Sequence, residues 1–163
     1  MKYAIIYSSR TGNTRLLAET VKNTLTDSEC IYFGSPDTAA LSADRIYVGF
    51  WTDKGTCDKD TANFLGKLTD QEIYLFGTAG FGEKSEYFDK VIKQTEKNLN
   101  SNVKVIGSFM CQGKMPMSVR QRYEKMLESS SNIPNITAMI ENFDKALEHP
   151  NENDLIALKK ALR

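Results

Sequence analysis

The chain is poor in residues that staple, ligate or catalyse. Its three cysteines, Cys30, Cys57 and Cys111, are far apart and form no CxxC pair. That excludes a disulfide framework and a cysteine zinc site, and it suits a reducing compartment. The only histidine, His149, precedes Pro150 near the C-terminus, so one chain cannot form a histidine dyad, and a surface place at a helix end is expected. Long apolar runs are also missing. The N-terminal one is too short and too interrupted for a signal peptide, and none approaches membrane-spanning length. Nor does one sign of charge dominate: 21 basic residues balance 21 acidic ones. They are interspersed, which argues against a nucleic acid or an anionic membrane as partner. No repeat, low-complexity tract or linker divides residues 1–163. A single cytoplasmic, monomeric domain is expected, with enough chain to bury about two-thirds of its unfolded surface.

What the chain does have is an alternation of strand and helix patterns. Lys2-Tyr3-Ala4-Ile5-Ile6-Tyr7 is β-branched and aromatic, and from Arg15 the apolar positions Leu16, Leu17, Val21 and Leu25 take up helical spacing. Further strands are read at 30–33, 45–50, 72–77 and 103–109. A helix is expected near 59–68, and Tyr87, Phe88, Val91, Ile92 and Leu99 mark one face of a longer helix. Three more helical segments are read near 118–129, 136–148 and 152–162, with a break at 129–134. Strands apolar on both faces, separated by helices, imply a parallel sheet covered on both sides, with few topologies left by right-handed crossovers.

The turn after the first strand carries the strongest chemical signal. Ser8-Ser9-Arg10-Thr11-Gly12-Asn13-Thr14 crowds hydroxyls, an amide and a glycine at the start of a helix. A phosphate dianion needs hydrogen-bond donors, close backbone approach and a positive dipole end, and this turn supplies all three. An ordinary turn capped by Asn13 or Thr14 is the alternative.

The segment Ser9-Arg10-Thr11-Gly12-Asn13-Thr14 resembles the S/T-x-T-G-x-T phosphate loop of flavodoxins, in the position where that family has it. The resemblance implies an α/β flavodoxin-like three-layer sandwich: a five-stranded parallel sheet in order 2-1-3-4-5 with helices on both faces. It also implies FMN as cofactor, held beyond the carboxyl ends of the strands. Ser9, Arg10, Thr11, Gly12, Asn13 and Thr14 would then hold the phosphate.

The loop after the third strand, Phe50-Trp51-Thr52-Asp53-Lys54-Gly55, is similar to a flavin loop of one subgroup. Trp51 would lie on the ring, and Gly55 would let the backbone carbonyl turn toward it; a core tryptophan and a plain loop closure are the alternatives. Thr78-Ala79-Gly80-Phe81 resembles the second flavin loop, with small residues and free N–H groups for the ring edge. Gly82-Glu83-Lys84-Ser85 narrowly misses a nucleotide P-loop because Glu83 splits the Gly-Lys pair. Tyr87 is read as core. The stretch 109–116 is either a border of the flavin or partner surface, or a plain helix entry.

Electron carriage between a reductase and an acceptor enzyme is the function the resemblance implies. Direct reduction of a quinone, bilin or other conjugated substrate is the second reading, and a flavin-free partner-binding module the third. One departure from the family stands out: Arg10, Lys54 and Lys84 sit in or beside the flavin loops, where electron-carrier flavodoxins are usually densely acidic. A less negative potential is therefore expected.

Overall fold

A computed structural model describes residues 1–82, 84–129 and 134–163. Its strands are β1 (Lys2–Tyr7), β2 (Glu29–Gly34), β3 (Arg45–Asp53), β4 (Thr56–Cys57), β5 (Glu72–Ala79) and β6 (Lys104–Gln112). Its helices are α1 (Asn13–Thr24), α2 (Lys59–Leu65), α3 (Ser85–Glu96), α4 (Met117–Ser129), α5 (Ile136–Ala146) and α6 (Glu152–Ala161), with a 3₁₀ turn at Thr38–Ser42. Five strands pair in the order β2-β1-β3-β5-β6, every neighbour parallel. This is the expected order, with one addition. The third strand runs on to Asp53 and folds back into the two-residue β4, antiparallel to it.

The alternation of each strand explains why the sheet takes two helical layers. Ala4, Ile6, Ile46, Val48, Ile73 and Leu75 face one side and pack with Phe64 and Leu65 of α2 and Val91 of α3. Their neighbours Tyr3, Ile5, Tyr47, Tyr74 and Phe76 face the other, against Leu17, Ala18 and Val21 of α1 and Leu158 of α6. A period of two can put apolar residues on both faces only where both faces are covered. Tyr47 links the rings of Tyr3 and Tyr74, with centroid separations of 5.8 and 5.7 Å.

The C-terminal segments divide their work. α6 lies on α1 and β6, and its first turn is closed by a capping box between Asn151 and Asp154. Helices α4 and α5 instead pack on each other around Tyr123, Ile136 and Phe143. The Arg120 guanidinium joins them by donating to both Asp144 carboxylate oxygens, at 2.9 and 3.1 Å. They form a helical hairpin inserted between β6 and α6, rather than a cover for the sheet. The break expected at 129–134 falls on residues 130–133, outside the described ones, as does Glu83. His149 is not a free surface residue: its Nδ1 lies 2.7 Å from Asp154 Oδ2.

Among the described residues all three cysteines are free, no carboxylate, histidine or cysteine cluster could hold a metal, and no helix is long and apolar enough to cross a membrane.

Candidate functional site

The carboxyl ends of β1, β3 and β5 open on one cavity of about 290 Å³. At the end of β1 the backbone turns at Gly12, φ +88°, directly into α1. Glycine takes that left-handed conformation without penalty. Ser9 Oγ accepts the N–H of Arg15 at 3.3 Å, and Gly12 O accepts that of Leu16. The N–H groups of Thr11, Gly12, Asn13 and Thr14 have no acceptor among the described residues. They are the unsatisfied donors of a helix N-terminus, the arrangement that suits an anion.

The side chains of this turn are committed differently from the expectation. Thr11 Oγ1 and Asn13 Nδ2 both donate to Lys114 O, at 3.3 and 2.9 Å. Thr14 is buried and donates from Oγ1 to Phe50 O at 3.1 Å. These groups brace the turn against β3 and the loop after β6, so the backbone N–H groups are what remain for a ligand. Asn13 Oδ1 is buried with no partner, the one such side-chain atom among the described residues. Asn13 itself lines the cavity, and this oxygen is the acceptor that a ligand hydroxyl would satisfy.

The β3–β4 connection is a two-residue hairpin turn, with Lys54 at φ 51° and Gly55 at φ 83°. Positive φ at both central residues matches the right-handed twist of the flanking strands. Thr52 Oγ1 ties the hairpin to β5 by donating to Thr78 O at 2.8 Å. Trp51 lines the cavity half-buried, with the Arg10 guanidinium 5.6 Å from its ring centroid.

At the end of β5, Gly80 O accepts from Gln112 Nε2 at 2.9 Å and from Asn142 Nδ2 at 3.0 Å. The N–H groups of Gly80 and Phe81 make no hydrogen bond among the described residues. Met115 packs on Gly80 so closely that a Cβ there would meet its sulfur at 2.5 Å.

Arg10, Thr11, Asn13, Trp51, Thr52, Asp53, Lys54, Gly55, Thr78, Ala79, Gly80 and Phe81 therefore meet as expected around one space. Ser9, Gly12 and Thr14 are not part of the lining: Ser9 and Gly12 are exposed in the turn, and Thr14 is buried. Phe50 is corrected: it is fully buried in the core, its ring over Gly77, where a Cβ would lie 2.5 Å from it. It adjoins Trp51 in sequence, and strand alternation points the two in opposite directions. Tyr87 packs against the core as expected and also lines the cavity, and burial raises its phenol above the ordinary value. The 113–116 segment also borders the cavity, as do Val119, Arg122 and Tyr123 of α4. Gly113 and Pro116 were the visible signal for that loop; nothing in the helical pattern of α4 linked it to the site.

FMN, the cofactor that the sequence resemblance implies, matches this donor set. Unpaired N–H groups suit its phosphate, the orphaned Asn13 oxygen suits a ribityl hydroxyl, and Trp51 offers the ring an aromatic face.

Comparison with known proteins agrees. The flavodoxin domain family matches residues 4–163. The flavodoxin-like domain-containing protein BilS of Clostridium symbiosum is 42% identical, over 99% of this chain and 94% of its own. A short-chain flavodoxin associated with a non-canonical PDU bacterial microcompartment shares the fold, with a TM-score of 0.56 and 17% identity over 89% of this chain and 97% of its own. A Lactobacillus acidophilus flavoprotein solved in complex with FMN aligns at a TM-score of 0.52 and 16% identity, over 67% of this chain and 92% of its own. This chain belongs to the flavodoxin domain family.

Proposed function

We propose that this protein binds FMN and carries electrons between a reductase and a partner redox enzyme. One observation carries the reading. Thr11 and Asn13 at the start of α1, the half-buried Trp51, and Gly80 and Phe81 of the β5 loop line a single cavity, and the N–H groups of these four turn and loop residues have no acceptor among the described residues. That cavity lies beyond the carboxyl ends of the strands, where β1 and β3 part the chain to opposite sides of the sheet.

Bound FMN supplies one- and two-electron redox chemistry, and the protein supplies binding, orientation and electrostatics. In this assignment the N–H groups of Thr11 to Thr14 hold the phosphate, with Arg10 as an additional cation. Asn13 Oδ1 accepts from the ribityl chain, and Trp51 shields the ring. Gly80 and Phe81 donate N–H groups to its polar edge, while Asp53, Lys54 and Gly55 border it from the hairpin. Thr14 and Thr52 keep the three loops in register through their bonds to Phe50 O and Thr78 O. The lining offers amides, cations and aromatic faces; Asp53 is its single carboxylate among the described residues.

The test is the visible spectrum of the purified protein, with FMN added and unbound flavin removed, followed through stepwise anaerobic reduction. Retained flavin that reduces in two separate one-electron steps is expected. A single two-electron step, with NAD(P)H-dependent turnover of a quinone, would move the assignment to a self-sufficient oxidoreductase. No retained flavin in excess FMN would overturn the cofactor reading and leave a partner-binding module.

A further inference from the structure

The chain is neutral overall, yet its charge is unevenly placed around the cavity. Arg10, Lys54, Lys114 and Arg122 stand at the opening, against Asp53 alone among the described lining residues. All four are exposed, and none pairs with a carboxylate among the described residues. Arg15, Arg45 and Arg120, outside the lining, are each matched to a glutamate, and Arg120 to Asp144 as well. The lining thus carries four cations against one carboxylate among the described residues, in a chain whose charges balance overall. A bound phosphate dianion would offset at most two of the four.

The four charges come from separate segments: the β1–α1 turn, the β3–β4 hairpin tip, the loop after β6, and α4. Apolar side chains are exposed in the same lining and beside it. Phe81 in the wall is 40% exposed, and Met117, next to the wall residue Pro116, is 55% exposed. A small carboxylate or phosphate is usually held by converging donors in a fork or a nest. Dispersed charges around an apolar centre are instead the anatomy of a protein interface, with a polar rim that steers encounter and a drier core.

We propose that the mouth of this cavity docks an acidic protein surface, that of the redox partner exchanging electrons with the site. The proposal rests on the FMN reading above. It reverses the charge arrangement by which an acidic flavodoxin would meet a basic partner.

The experiment uses FMN-loaded protein, its flavin content fixed first by spectral titration. Electron transfer from the reduced protein is followed by stopped flow to two forms of one acceptor: cytochrome c, which is lysine-rich, and cytochrome c succinylated so that those lysines carry carboxylates. Ferricyanide serves as a small anionic probe. Salt dependence is the readout, because the two cytochromes differ in driving force. Transfer to the succinylated form is expected to slow by about tenfold or more between ~0.01 M and ~1 M ionic strength, as the Debye length falls from about 30 Å to about 3 Å. Transfer to the native form is expected to be flat or to rise with salt. The double variant Lys114→Gln/Arg122→Gln, at equal flavin loading, should lose most of the salt slope.

Equal slopes for the two cytochromes, or the opposite order, with flavin bound, would overturn the docking proposal alone. Steering of ferricyanide without steering of the succinylated cytochrome would assign the rim to a small anion and overturn it as well. Failure to bind flavin would overturn both readings.

Discussion

Asn142 on α5 donates from Nδ2 to the carbonyl of Gly80 at 3.0 Å, so a helix far along the chain holds the loop after β5 by its backbone. Gln112 Nε2 shares the same carbonyl and also donates to Asn142 Oδ1 at 3.1 Å. The three groups form a closed amide cluster. It fixes Gly80 O toward α5 and leaves the Gly80 and Phe81 N–H groups free for the cavity. Asn142→Ala removes two of these bonds. A loss of about 1–3 kcal/mol is expected, the usual cost of stranding partly buried partners, together with weaker FMN binding. Urea denaturation without FMN and flavin titration measure the two effects separately. Lost stability with unchanged affinity would show that the cluster supports the hairpin alone.

The second prediction concerns the hairpin that carries Lys54 and Gly55. Gly55 has φ +83°, and a Cβ there would meet nothing within 4 Å. Any penalty from Gly55→Ala is therefore conformational, about 1–2 kcal/mol for an L-residue in the left-handed region. Gly55→Asn should cost less, since asparagine tolerates that region. Denaturation midpoints of the two variants check the ranking. A steric origin would reverse it, because asparagine is the larger side chain.

The strand order, the two-sided core and the turn at Gly12 were legible because each rests on local pattern: alternating apolar residues or a short cluster of distinctive types. β4 was hidden by its turn. Asp53-Lys54-Gly55-Thr56 places a lysine at a positive φ, whereas Asn-Gly or Asp-Gly is the usual signature. Phe50 was drawn into the site by its neighbour Trp51, although successive strand residues face opposite ways and a ring over Gly77 belongs to the core. For α4 and α5 the helical character was readable but the packing partner was not. Their cluster around Tyr123 and Phe143, and the reach of Asn142 to Gly80 across 62 positions, depend on tertiary closure that no window of sequence contains.

Alkaline stability follows from Tyr74. Burial raises its phenol from 10.0 to about 12, with a smaller contribution from Tyr47. The folded chain therefore keeps this proton at a pH where the unfolded chain has lost it. The stabilisation is fully present below pH 10 and is lost as pH rises through about 12. Tyr74→Phe keeps the packing and gives up a long hydrogen bond of 3.5 Å to Ala161 O. It should flatten the fall in stability between those limits by on the order of 2 kcal/mol. Unfolding free energies measured across that pH range test it; an unchanged slope would place the alkaline sensitivity on another group.

The basic rim also bears on the redox potential. Reduction adds negative charge to the flavin, and a nearby cation stabilises the reduced form more than the oxidised one. Lys54 at the hairpin tip and Arg10 over Trp51 are the cations closest in sequence to the residues assigned to the ring and phosphate. The protein should therefore reduce at a less negative potential than an acidic flavodoxin. Lys54→Glu should move it negative, with the shift shrinking in high salt because the group is exposed. Lys54→Gln should move it about half as far, since it removes one charge where glutamate changes two. Redox titration at low and high ionic strength distinguishes this from a change in hairpin shape. A Coulombic shift scales with the charge removed and fades with salt, whereas a conformational one would persist in high salt and would not follow the ordering of glutamate over glutamine.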